Sequence, residues 1–158
     1  MLTGRYEESA AHHRAALELD ADYPLALVTA GWVHLLCGRD EQAIASTQRA
    51  MTVTGGTSFY RAGFDLVCAM MGRRDEAVAV IDNIQQRAAS RYVSQGALCW
   101  VHAALGNVDE ALRCLETAYA QRDSMLVCLT TFFGWDPIRD TDIFRGIVAR
   151  MKFPRPMR

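Results

Sequence analysis

The chain has 158 residues, of which 51% are hydrophobic and 22% charged, enough for a real core and too apolar for a disordered segment. With 17 basic and 18 acidic residues the net charge is −1, so the strong positive field with which a nucleic-acid binder holds phosphates is missing and no nucleic-acid partner is expected. Five cysteines (Cys37, Cys68, Cys99, Cys114 and Cys128) form an odd set with no C-x-x-C pair, which fits a reducing, cytoplasmic compartment better than a disulfide scaffold.

The N-terminus, MLTGRYEES, has no apolar signal region. Residues 5–20 read as a helix whose own first partner is nearly absent. Three helix pairs follow, 24–37 with 40–53, 58–71 with 74–88, and 92–105 with 108–121. Thr54-Gly55-Gly56-Thr57 is turn chemistry between the first two pairs. The longest uncharged runs, Tyr23 to Gly38 and Tyr92 to Val108, fall short of the roughly 20 apolar residues that span a bilayer, so they read as buried helices and no membrane partner is expected. From Asp123 the pattern changes. A further helix is expected from Ser124 to Thr131, then the stretch Phe132-Phe133-Gly134-Trp135-Asp136-Pro137, then a last helix from Thr141 to Met151. The closing basic residues Arg150, Lys152, Arg155 and Arg158 read as a solvated tail.

One register runs through these elements. Gly4, Gly38, Gly72 and Gly106 recur every 34 residues. In step with them come Glu7-Glu8-Ser9, Glu41-Gln42-Ala43, Asp75-Glu76-Ala77 and Asp109-Glu110-Ala111, and then Ala16, Ala50, Ile84 and Ala118. A glycine can end a helix at positive φ without steric cost. The acidic residues after it face the positive end of the next helix dipole. The small residue lets two helices approach closely. The unit is therefore helix, tight turn, helix, and repeats of this length stack so that each buries its neighbour's apolar face.

Gly38 with Asp40-Glu41-Gln42-Ala43, Gly106 with Asp109-Glu110-Ala111, and the phrase Arg14-Ala15-Ala16-Leu17-Glu18-Leu19-Asp20 resemble the tetratricopeptide repeat family over residues 1 to about 124. His34, Cys68 and His102 stand where the family carries an aromatic residue, and only Pro24 approximates its inter-repeat proline. The resemblance implies an all-α, right-handed superhelix (an α-solenoid) of antiparallel helical hairpins with a C-terminal capping segment. It also implies one domain over 1–158, with a partial first repeat at 1–23, full repeats at 24–57, 58–91 and 92–124, and a cap at 125–158. Asp136-Pro137-Ile138-Arg139 and Asp142-Ile143-Phe144 resemble the closing segment of such arrays in bacterial regulators and signalling enzymes. The chain starts in mid-hairpin, so either it is a fragment of a longer regulator or a partner subunit covers its open first face.

In the family the first helices of successive hairpins line a concave groove. Counting back from the marker glycines places Leu25, Val28, Trp32, Leu36, Phe59, Leu66, Met70, Val93 and Trp100 on one stripe. The stripe is apolar and lacks the Lys, Arg and Asn of family grooves that clamp a peptide carboxylate. Two readings stay open. The stripe accepts an apolar or amphipathic segment of a protein partner, or its tryptophans are core, covered by Phe132, Phe133 and Trp135.

Chemistry-bearing patterns are missing. His12 and His13 point in different directions from one helix and read as surface residues, and His34 and His102, in one repeat column, read as packing residues. There is no phosphate-cradling or nucleophile-elbow motif and no zinc-ligand spacing. The sequence thus predicts a protein-interaction scaffold, not an enzyme, with no cofactor or metal. The alternatives are a self-assembling homodimer module and an accessory domain binding a small apolar ligand.

Overall fold

The computed structural model describes residues 5–72 and 93–153, and among these every regular element is a helix. The chain divides into two compact units, Met1–Val93 and Ser94–Arg158. The expected helix over 74–88 lies outside the described residues.

The first unit contains α1 (Tyr6–Leu19), α2 (Pro24–Leu36), α3 (Asp40–Val53) and α4 (Ser58–Met70). The 34-residue register holds to the residue here: α3 begins and ends one period after α1, and α4 one period after α2. Pro24 opens α2 at a position where its missing N–H costs nothing. At the other end Gly38 takes φ +69°. Its N–H donates to the Leu35 carbonyl at 3.0 Å, and the Arg39 N–H donates to the His34 carbonyl at 2.9 Å. These bonds satisfy carbonyls that the helix end leaves orphaned and turn the chain back on itself.

α2 and α3 then pack as an antiparallel hairpin. Ala43, Thr47 and Ala50 face α2 and are fully buried. Gly31 marks the closest approach, since a Cβ there would overlap Thr47 Cγ2 and lie 3.0 Å from the Ala43 carbonyl oxygen. The Thr47 hydroxyl donates to that same carbonyl at 2.7 Å, so its polar atom is satisfied inside the contact. α2 also packs on α4. There the indole N–H of Trp32 donates to the Gly63 carbonyl at 3.3 Å, and a Cβ on Gly63 would come within 2.5 Å of Val28 Cγ2.

The second unit contains α5 (Gln95–Ala104), α6 (Val108–Gln121), two 3-10 helices at Ser124–Cys128 and Phe133–Ile138, and α7 (Asp142–Met151). α5 starts three residues later than the periodicity predicts, because Ser94 caps it, its hydroxyl accepting from the Ala97 N–H at 3.1 Å. The turn to α6 repeats the first one, with Gly106 at φ +77° and the Asn107 N–H donating to the His102 carbonyl at 2.9 Å. Ala111, Leu115 and Ala118 are fully buried against α5, and the Cys99 thiol donates to the Ala111 carbonyl at 3.0 Å.

The helix expected from Ser124 to Thr131 is instead a 3-10 helix that ends at Cys128, and a second 3-10 helix follows at Phe133–Ile138. The Asp123 carboxylate decides the first. It accepts from the Met125 N–H at 2.9 Å, which starts the tight turn, and from the Ser94 hydroxyl at 2.8 Å and the Gly96 N–H at 3.1 Å, which pin that turn to the start of α5. Arg139 holds the second. Its guanidinium donates to the carbonyls of Leu129, Thr130 and Phe132 at 3.4, 3.3 and 3.0 Å and to Asp136 Oδ1. Three carbonyls outside any α-helix are thereby satisfied by one planar fork. α7, capped by the Thr141 hydroxyl, begins one 34-residue period after α6. The closing segment therefore keeps the register, with the 3-10 turns in place of a first helix.

The close approach at Gly31 predicts that Gly31→Ala lowers unfolding stability by about 1–3 kcal/mol in urea titration, from overpacking against Thr47. Gly146→Ala, in α7 with open space around the new methyl, should instead raise stability by up to ~1 kcal/mol through helix propensity. Equal stability of Gly31→Ala and the native chain would rule out a tight crossing.

Candidate partner-binding stripe

The nine stripe residues separate by burial. Leu25 and Met70 are large apolar side chains left 44% and 45% exposed. Leu36, Phe59 and Val93 are half-buried. Val28, Trp32, Leu66 and Trp100 are interior. On α2, Leu25, Val28, Trp32 and Leu36 follow one helical face, and Phe59, Leu66 and Met70 follow the corresponding face of α4. Each face thus has an accessible residue near one or both ends and a buried middle. Phe59 stands edge-on to Trp32, with ring centroids 6.0 Å apart, a favoured geometry that fixes the indole between the two helices.

In the second unit Trp100 meets Phe132 at 4.5 Å and Trp135 at 5.5 Å between ring centroids. Trp135 in turn lies 6.5 Å from Phe144, over whose ring the Arg139 guanidinium sits at 5.7 Å. Trp100 and the closing segment form one aromatic cluster. Val93 stands at the boundary residue of the first unit.

A second surface emerges on α1, which the repeat pattern did not single out. Ser9, His13 and Ala16 are the repeat equivalents of Ala43, Thr47 and Ala50, and of Ala111, Leu115 and Ala118. The latter six are fully buried, whereas the three on α1 are only half-buried. His13, expected at the surface beside the exposed His12, is drawn in by this face. Its Nδ1 lies 3.5 Å from the Ser9 hydroxyl.

One buried charge stands out. Asp65 on α4 is fully buried, in the column of Gly31 and Cys99. Arg61 Nε approaches Oδ1 at 3.3 Å, close enough for an ion pair but without hydrogen-bond alignment. Burial pushes the carboxyl up to about 7, and the neighbouring Arg61 only partly offsets this. No sequence pattern flagged Asp65, because a lone Asp in a helix is ordinarily solvated. Among the described residues no three His, Cys, Asp or Glu side chains come together as a metal site, and no helix is long and apolar enough to cross a membrane.

Residues 93–117, which span α5, its glycine turn and the front of α6, match the family model for the tetratricopeptide repeat. No curated protein and no solved structure matches the chain.

The raised value of Asp65 has a defined sign. A folded-state value above the ordinary 3.8 means that its contribution to stability is full below about pH 4 and is lost as pH rises toward 7. Asp65→Asn removes this loss. In thermal melts the variant should gain on the native chain between about pH 4 and pH 7 and hold that gain above, and a difference independent of pH would contradict an uncharged-preferring Asp65.

Proposed function

We propose that this tetratricopeptide-repeat chain is a protein-interaction module that holds an apolar or amphipathic segment of its partner along the first helices of its hairpins. The observation that carries this reading is the pairing of Leu25 and Met70, exposed, with Leu36 and Phe59, half-buried, on matching faces of α2 and α4. Large apolar side chains left accessible at a regular helical spacing offer a partner helix the anchors it needs. Trp32 and Leu66 serve this surface from below, by fixing the helices that present it. Trp100 does the same for α5, inside its own aromatic cluster.

A repeat of this family is typically an interaction element without catalysis, which supports a non-enzymatic role. The likeness of Asp136-Pro137-Ile138-Arg139 and Asp142-Ile143-Phe144 to the closing segments of regulator arrays supports a place in a bacterial cytoplasmic regulator.

A double substitution, Leu25→Glu with Met70→Glu, tests the stripe. Both sites are surface positions, so the melting temperature should stay close to that of the native chain. Partners captured from the source cell by the native chain should be lost, because two charges now enter an apolar contact. Retention of the same partners by a folded double variant would eliminate the stripe as the binding surface.

A second reading has its own support in the half-buried face of α1. In two hairpins of this chain the equivalent face is covered by another helix. A second copy of the chain docking there gives a symmetric dimer. Light scattering at two protein concentrations decides it: a dimer should appear and be abolished by Ala16→Glu, and a firm monomer at both concentrations rules it out.

A further inference from the structure

A cavity of about 260 Å³ opens where α1, α2 and α3 meet. Its floor is Ala10 and Ala30, both buried, and its sides include His13, Leu17 and His34. Arg14 stands exposed at its mouth. Glu18 and Ser46 complete the lining.

Comparison with the other repeats shows how this space arises. One period after Ala10 comes Ile44, and two further periods on comes Leu112. One and two periods after Ala30 come Phe64 and Leu98. At these two columns the other repeats carry large side chains, and it is where α1 meets α2 that both are alanine. The polar lining is equally local. His13 stands where Thr47, Ile81 and Leu115 stand in the other repeats, and Arg14 where Gln48, Asp82 and Glu116 stand. The cavity is thus lined by two imidazoles and a guanidinium, with the Glu18 carboxylate beside them.

We propose that this cavity is a binding site for a small aliphatic carboxylate, its chain against Ala10, Leu17 and Ala30 and its carboxylate between Arg14, His13 and His34. At about 30 Å³ for each water-sized volume, the cavity takes a molecule of roughly eight non-hydrogen atoms. His34 Nδ1 is buried without a hydrogen-bond partner, so the desolvation of this ring nitrogen is uncompensated in the free protein. No ion pair engages Arg14 among the described residues. The charged groups that act on the two imidazoles are Glu7, His12 and Arg14 from α1, the N-terminal ammonium, and Arg39 from the turn after α2, and Glu18 shares the lining. α3 contributes the neutral Ser46. Glu7 is already paired with Arg39. Burial holds both imidazoles below the ordinary histidine range, and Arg39 and Arg14 press His34 further down. A carboxylate arriving between them acts in the opposite direction.

The test uses hexanoate, with hexanol and hexylamine as neutral and cationic counterparts, and follows the histidine ring resonances by NMR across a pH titration. Hexanoate should shift His13 and His34 saturably and raise the apparent pKa of His34, while His102 in the second unit stays unmoved. Ala30→Phe, which places here the residue that stands one repeat later, should fill the cavity and abolish the shift. Should that variant fold poorly, Arg14→Gln, at an exposed position, should weaken hexanoate binding about tenfold and leave the circular dichroism unchanged. The proposal is overturned if hexanoate produces no saturable shift, if hexanol or hexylamine shifts the same rings equally, or if folded Ala30→Phe or Arg14→Gln binds hexanoate as the native chain does.

Discussion

Two helices joined by a three-residue turn can pack only as closely as their side chains allow, and that distance governs everything else in this chain. At the α2–α3 crossing the approach is set by Gly31 against Ala43 and Thr47. At the α5–α6 crossing it is set by Cys99, whose thiol reaches the Ala111 carbonyl. Small residues at these columns bring backbone and side-chain atoms into direct contact and leave no space for water. The burial so achieved fixes the orientation of each first helix, and with it which of that helix's residues point inward. Trp32 is interior because α2 is held there, and Leu25 is exposed for the same reason.

The second unit closes by a different device. A helix end or an irregular segment presents carbonyls and N–H groups that must find partners when buried. Asp123 and Arg139 supply them. The carboxylate gathers the Ser94 hydroxyl and two backbone N–H groups, and the guanidinium gathers three carbonyls. Between these two anchors, Phe132 and Trp135 are set against Trp100. The aromatic cluster and the two polar anchors depend on each other. The rings exclude water from the hydrogen bonds, and the hydrogen bonds hold the 3-10 turns that aim the rings.

Repeats that share a scaffold differ in function where their columns differ. The half-buried face of α1, the buried Asp65 in a column of glycine and cysteine, and the two alanines beneath His34 are all departures from the pattern kept by neighbouring repeats. Each departure has a physical cost or leaves a physical opening. An uncovered face leaves area accessible, a buried carboxylate resists ionisation, and a pair of alanines borders a cavity. The proposals on partner, self-association and small-molecule binding all rest on such differences.

The helix bounds were legible in the sequence because they obey local rules. Pro24 opens a helix, Gly38, Gly72 and Gly106 end helices at positive φ, and the acidic residues behind Gly38 and Gly106 start the next. Those rules act within a few residues, so a 34-residue period carried them along the chain to within about three residues. The closing turns were not legible, because Asp123 finds Ser94 at a separation of 29 residues and Arg139 finds Leu129 across a bend that no periodicity describes. The stripe was readable as a line of nine apolar residues. Which of them reach solvent was decided only by tertiary packing, since Trp32 and Leu25 have the same apolar character and differ only in what the neighbouring helix brings against them. The sequence by itself thus determined where the helices run and which faces are apolar. The fold decided which apolar faces are covered, because coverage depends on contacts between residues tens of positions apart.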